Sequence, residues 1–438
     1  MRDYVVVGVI LLSLPFCIIR PYIGVLMWCW VSYMNPHRLT WSFAYHFPAA
    51  QCVAIATILG LIGTKERQRV PIERETILLL SLWLLFTLNC FLSIYPDIAW
   101  AQWLLVTKIL LMTFITMFLV TDRKKFHYLL LTIALSLGFY GLKGGIFSVV
   151  TGGTYLTLGP PGSFIADNND LALALLMVLP LLFYLAQAET SRKLKFGLMG
   201  IFFFSILTII FSYSRGGLLG LAAVMTMFVL KFKKKFWAAI IVVFVIFFVL
   251  TYAPEAWFGR MQTLQDYFQG KQLDPSATGR INAWHFAWNL ASARPLTGGG
   301  FGAFSQDLFA LYAPDPNDVH AAHSIYFEIL GEQGFIALGL FLVLLASSFW
   351  SLRRLKRAVT PFPNLHWMVG YSDMLQLSLT AYIVSGAFLG RAYFDLFYHL
   401  IAAIILLRAF SRKEIELSCQ REFSLPVESV TVGTVPTK

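Results

Sequence analysis

Apolar residues along this chain fall into long uninterrupted runs, separated by short polar breaks, from Tyr4 to Phe410. The runs "ILLLSLWLLFTLNCFLSIY" (77–95), "FGLMGIFFFSILTIIF" (196–211) and "FWAAIIVVFVIFFVLTY" (236–252) hold no charged residue. Each approaches the ~20 residues that a helix needs to cross a bilayer. Strands of a membrane barrel would alternate apolar and polar positions, and these runs do not. The pattern predicts an all-α polytopic integral membrane protein with about 12 to 13 transmembrane helices. The first runs (4–19, 21–34 and 48–63) are short and predict two or three crossings, with a dipping segment at "NPHRLTWSFAYHFP". No small-residue cleavage site follows the first run, so it reads as retained.

Composition agrees, with 58% hydrophobic and 13% charged residues. The net charge of +11 would suit a nucleic-acid partner if the basic residues formed one surface. Instead, most of the 34 Lys and Arg sit in clusters at 65–74, 122–125, 192–195, 231–235, 353–357 and 408–421, two apolar runs apart. That is the alternation of positively charged cytoplasmic loops, so no nucleic-acid partner is expected. It places the C-terminus in the cytoplasm and puts the stretches near Pro96, 141–170, 213–216, 254–322 and 390–393 outside. The five cysteines lie in apolar runs or the tail and indicate no disulfide framework.

The one large soluble insertion, 254–322, has helical periodicity of its own. Trp257, Met261, Leu264 and Phe268 predict an amphipathic helix on the membrane surface. Thr278 is expected to cap a second helix, with Arg280 in its first turn. Ile281, Trp284 and Trp288 would form its apolar stripe, and Asn282, His285, Asn289 and Ser292 its polar one. It should stop before Pro295. "GGGFG" (298–302) then reads either as a plain loop or as backbone able to approach a ligand closely.

On this topology three polar features share the outer side. In "SYSRGGLLG" (212–220), Arg215 occupies a tight turn where Ser214 can cap the following helix and Gly216-Gly217 leave its first amides uncovered. That arrangement suits an anion, or else an arginine snorkelling to lipid phosphate. Arg280 is the second feature, readable also as a solvated charge. His323 is the third, at the threshold of the helix opening at Ser324, where a neutral imidazole can take a proton from a hydroxyl. His320 is close enough to exchange roles with it. "HAAH" lacks the glutamate and spacing of the zinc-protease helix motif, so no metal is expected. Glu328 and Glu332, one turn apart, read as structural groups that orient polar neighbours or pair with an arginine. Lys108 lies deep in a crossing, at a cost of at least ~2.5 kcal/mol, and needs a partner or a path to the interface. Arg391, between the last two crossings, is a further candidate phosphate contact.

An outward-facing site has no nucleotide supply, so a group-transfer substrate there must arrive already activated and usually tethered to lipid. A polyprenyl-diphosphate glycan fits, since two arginines and a helix N-terminus can hold the leaving diphosphate without any cofactor. The order "SRGG", "TGRINAW", "PLTGGGFGAF", "HSIYFEILGEQG" resembles the signature of the O-antigen ligase and polymerase superfamily, membrane glycosyltransferases at the outer leaflet of the bacterial inner membrane. The resemblance spans roughly residues 160–350. It implies that Arg215 and Arg280 bind the lipid diphosphate and that His323 activates the acceptor. "GSFIADNNDLALAL" (162–175) also resembles the family, implying Asn168 or Asn169 at the site.

Residues 20–51 resemble a branch of O-glycosylation ligases associated with the exosortase A system. The expected division is an N-terminal membrane region (1–160), a ligase-like membrane domain (161–410) with its periplasmic helical loop, and a cytoplasmic tail (411–438). The expected partners are a polyprenyl-diphosphate-linked glycan, a periplasmic protein or glycolipid acceptor, and membrane lipid. A polymerase of the same superfamily is the nearest alternative. A transporter is another, against which stand the missing internal repeat and the polar residues gathered at one face.

Overall fold

The computed structural model describes residues 1–231, 240, 243, 251, 254–255, 257–259 and 275–424. The described residues form helices and no strands. The chain is an all-α, multi-pass membrane protein. Among the described residues its α-helices are α1 (Arg2–Ile19), α2 (Pro21–Met34), α3 (Ala49–Gly63), α4 (Arg74–Phe91), α5 (Pro96–Leu119), α6 (Arg123–Val150), α7 (Asn168–Ala188), α8 (Arg192–Ile210) and α9 (Arg215–Lys231). After these come α10 (Pro275–Ala293), α11 (Gln306–Tyr312), α12 (Ile325–Val359), α13 (His366–Gly386) and α14 (Asp395–Ser424). Among the described residues seven helices, α1, α4 to α8 and α12, are long and apolar enough to cross a membrane. The apolar run at 236–252 lies almost wholly outside them, as do Met261, Leu264 and Phe268 of the expected surface helix. Trp257 is described and is not at a surface: it is buried, and its indole N–H donates to the Ile210 carbonyl at 3.0 Å.

Hydrogen bonds tie the helix ends into two sets that follow the charge alternation. At the basic end, Tyr22 donates to the Lys125 carbonyl at 2.7 Å and Gln68 to the carbonyls of Met117 and Val120 at 2.9 Å. Glu75, fully buried on α4, accepts from Ser347 and Ser351 of α12 at 2.6 Å and from Arg408 of α14 at 2.9 Å. Asp373 of α13 binds Lys231 of α9 and Lys356 of α12. At the opposite end, Asp3 accepts from the amides of Ser42 and Ala44, and Tyr45 donates to the Pro161 carbonyl at 3.2 Å. The segment 35–48 is thus two short 3-10 turns that join the start of α1 to the stretch preceding α7.

Side-chain caps set several starts. Asp122 accepts from the Lys125 amide at 2.9 Å, Asp167 from the Asn169 amide at 2.8 Å, and Ser214 from the Gly217 amide at 3.0 Å. Thr278 does not cap: α10 already begins at Pro275, which moves Arg280 into its second turn. The buried face of α10 is also rotated from the expected stripe. Ala283, Phe286, Ala287 and Leu290 are buried while Trp288 is 54% exposed, because Phe286 stacks on Phe309 of α11 at 4.1 Å in a small separate core.

The helix α12 is broken at Gly334 (φ 78, ψ −177), a conformation open to glycine and costly for other residues. A break inside a membrane protein strands backbone groups that must find partners. The run 298–302 supplies them. Gly299 and Gly300 amides donate to the Gly331 and Glu332 carbonyls at 2.9 and 2.8 Å, the Phe335 amide donates to Pro295, and Asn89 donates to the Gln333 carbonyl at 3.2 Å. The glycines therefore approach a backbone closely, and that backbone is the chain's own helix. Gly298 has φ +58, and a Cβ there would lie 2.6 Å from the Gly331 oxygen. Gly298→Ala should lower stability in detergent by about 1–3 kcal/mol, measured by thermal or denaturant unfolding. Gly8→Ala, in α1 with nothing within 4 Å of the added methyl, should leave it unchanged or slightly raised.

Candidate functional site

The turn before Arg215 is built on α7. Asn168 is buried and its amide donates to the Ser212 carbonyl at 2.7 Å, while the Asn169 side-chain oxygen accepts from Ser214 at 2.7 Å. Tyr213 takes φ +58, and its hydroxyl donates to the Gly153 carbonyl at 2.8 Å. Left-handed backbone at a tyrosine is strained, and the hydrogen bonds on either side hold it there. Both asparagines thus shape the turn from beneath. Arg215, half-buried, is the first residue of α9. The glycines after it let neighbouring elements pack closely, and one of their two amides is covered. The Gly217 amide is taken by Ser214, and a Cβ on Gly216 would lie 3.1 Å from Phe388 and 3.3 Å from Leu389.

Arg280 is carried by α10, which is clamped to the residues just before α12. Asn282 donates to the carbonyls of Asp315 and Asp318 at 2.8 and 2.9 Å and accepts from the Asp315 amide. Trp284 donates to the Ala322 carbonyl at 2.8 Å, and its ring lies flat on Phe327. Gly279, beside Arg280, touches the His320 ring, whose Nε2 is 2.8 Å from Asp318. His320 thus meets Asp318 through one ring nitrogen.

His323 has φ +42, so with Tyr213 two of the three positive-φ non-glycine residues among those described flank this site. Such strain persists only where surroundings over-determine it and commonly accompanies function. The imidazole is half-buried, and burial pushes its pKa below the ordinary value, helped by the Arg280 guanidinium. Asp167 opposes that shift, and His320 and Arg391 add to it. Arg280, Asp167, His320 and Arg391 thus all act on the His323 ring. The start of the Arg215 helix is linked to the His323 backbone by a short turn: Leu389 lies against Gly216, while a Cβ on the next residue, Gly390, would be 3.2 Å from the His323 nitrogen and Cα.

The remaining candidates have different surroundings. Arg391 makes an ion pair with Asp170, in the first turn of α7. Glu328 accepts from the Ala392 amide at 3.0 Å. Glu332 accepts from the Gly302 amide at 2.9 Å and from the Tyr393 hydroxyl at 2.8 Å. Lys108 is not brought to this group. It is exposed on α5 in a stripe with Leu104, Leu105 and Leu111, twelve residues or ~18 Å along the helix from Pro96. Sequence reasoning missed Asp167, Asp170, Gly390 and Tyr393. The acidic pair flanking "NN" in "ADNND" is the signal that was present for the first two.

No curated protein matches the chain. Residues 1–190 match a family described as "Family of unknown function (DUF5935)". Residues 200–342, the stretch that contains Arg215, Arg280 and His323, match the family described as "O-Antigen ligase", and to that family this part of the chain is similar.

Proposed function

We propose that this protein is a glycosyltransferase that moves a preassembled glycan from a polyprenyl-diphosphate carrier to a hydroxyl of an acceptor, in the ligase manner. The observation that carries this reading is the half-buried, backbone-strained His323 under the influence of Arg280, met by a turn that also packs against the start of the Arg215 helix. The match of residues 200–342 to the O-antigen ligase family supports it. The acceptor oxygen attacks the anomeric carbon and the carbon–oxygen bond to the diphosphate breaks. The hydroxyl proton passes to the His323 imidazole, and the bonding electron pair leaves with the diphosphate. Arg215 and Arg280 take up the charge that grows on the leaving group. A lowered pKa suits the base, because the imidazole is then neutral and ready at neutral pH. The reading places the protein in the bacterial inner membrane with this site facing the periplasm, the basic loops being cytoplasmic. The acceptor is a periplasmic protein or glycolipid. The resemblance of residues 20–51 favours the branch associated with the exosortase A system.

His323→Ala should lower turnover of purified protein on a lipid-linked glycan by about 10²- to 10⁴-fold, with its melting temperature preserved. Near-normal turnover would remove the imidazole from the mechanism. Arg280→Ala should cost about 10²- to 10³-fold in kcat.

The pH profile has a definite sign. Activity should fall as pH drops through the lowered pKa of His323, so the acid limb lies below the ordinary value of ~6.5. Removing the Arg280 cation should move that limb up, and Asp167→Asn, which removes an anion, should move it further down. kcat/KM measured from about pH 4.5 to 8 reads both shifts.

A polymerase would extend the carrier-bound chain instead. Purified protein given lipid-linked oligosaccharide alone should leave it unlengthened; longer carrier-bound products would replace the ligase reading by the polymerase one.

A further inference from the structure

Residues 388–394, between α13 and α14, meet the start of α9, the His323 backbone, α7 and α12 in succession. Phe388 and Leu389 lie against Gly216, next to Arg215. Gly390 meets the His323 backbone. Arg391 pairs with Asp170 on α7, and its carbonyl accepts from Tyr382 at 3.0 Å. The Ala392 amide donates to Glu328, and Tyr393 donates to Glu332. Phe394 faces Phe164 at 5.4 Å, in the stretch that leads into α7. Two residues from Asp170, Asn168 holds the Ser212 carbonyl, and Asn169 holds Ser214.

One segment of seven residues therefore bears on the helix starts that carry Arg215 and His323. Its charged side chain is anchored on the helix that shapes the Arg215 turn. The anchor is buried: the Asp170 side chain is only 12% exposed, and its carboxylate accepts from Nη2 of Arg391, whose own side chain is 39% exposed.

We infer that Arg391 is a positioning residue: with Asp170 it latches the 388–394 turn, and the turn sets the spacing between the Arg215 helix start and the His323 backbone. Arg391 then acts through its neighbours and not by direct contact with the diphosphate. The inference rests on the transferase reading for its kinetic consequence, and on the contacts alone for its structural one.

The test uses the full chain in lipid nanodiscs, with Arg391→Gln, Asp170→Asn, the double variant, and the exchange Arg391→Asp with Asp170→Arg. With a polyprenyl-diphosphate-linked glycan as donor, each single variant should lose kcat by a similar factor, about 10²-fold for a misplacement near 1 Å, at little-changed donor KM. The double variant should be no worse than either single, and the exchange should restore turnover. A near-normal Asp170→Asn beside an Arg391→Gln with raised donor KM would overturn the inference in favour of direct phosphate contact. So would losses that multiply in the double variant.

A second readout needs no donor: the rate at which diethyl pyrocarbonate modifies His323, taken as the difference from His323→Ala. Both single variants and Gly390→Ala, whose methyl would press on His323, should change that rate in the folded protein. An unchanged rate in all three would overturn the latch. A wild-type protein inert toward the donor would count against the transferase and leave this measurement to decide the latch.

Discussion

The break in α12 at Gly334 is the constraint on which the arrangement of the site depends. Inside a membrane-embedded bundle each unpaired amide or carbonyl costs several kcal/mol, so a helix can be interrupted only where other protein groups replace the lost bonds. Here the carbonyls of Gly331, Glu332 and Gln333 and the amide of Phe335 are met by Gly299, Gly300, Asn89 and Pro295. Satisfying them draws the 295–302 stretch onto α12 and so brings α10, which ends just before it, alongside the same helix. Arg280 on α10 and His323 ahead of α12 are thereby held on one framework. The Glu332 side chain extends it by accepting from Gly302 on one oxygen and from Tyr393 on the other.

The opposite end of the bundle is fixed by charge. Glu75 is sealed from solvent but accepts from Ser347, Ser351 and Arg408, with Arg408 also near Glu73. Breaking a buried pair on one side leaves an uncompensated charge, costing about 3–5 kcal/mol, so the group specifies how α4, α12 and α14 meet. Lys231, Asp373 and Lys356 do the same for α9, α12 and α13. Specific polar contacts at both ends and apolar packing between them leave the helices little freedom to slide, which a site assembled from several helix starts requires.

The sequence displayed the parts of this that follow local rules. Uninterrupted apolar runs gave the helices, alternating basic clusters sorted their ends, and Ser214 capped the helix it was expected to cap. What stayed hidden depends on partners distant in the chain. The ion pair of Arg391 with Asp170 joins residues 221 positions apart, so Arg391 alone looked like a phosphate contact. The buried face of α10 was misassigned because Phe286 finds Phe309, a neighbour that periodicity within one helix cannot supply. The glycine run reads in sequence as either a plain loop or a ligand approach, because its actual target, a broken helix, leaves no mark except another glycine in an otherwise apolar stretch. Lys108 was suspicious on energetic grounds, yet the structure leaves it on an exposed leucine stripe away from these contacts.

Separation along the chain also explains why residues 1–190 are more than a membrane anchor for the rest. Tyr45, over which the Arg38 guanidinium sits at 4.6 Å, donates to the Pro161 carbonyl. Tyr33 meets Phe164, which meets Phe394. Six residues after Pro161, Asp167 caps α7, and the next three residues hold Ser212, Ser214 and Arg391 in turn. The N-terminal helices thus brace the strand of chain that enters α7, and α7 braces both the Arg215 turn and the 388–394 turn. A change at Tyr45 or Phe164 can reach His323 through this sequence of contacts, and its effect along that route is lost alignment of groups that individually remain intact.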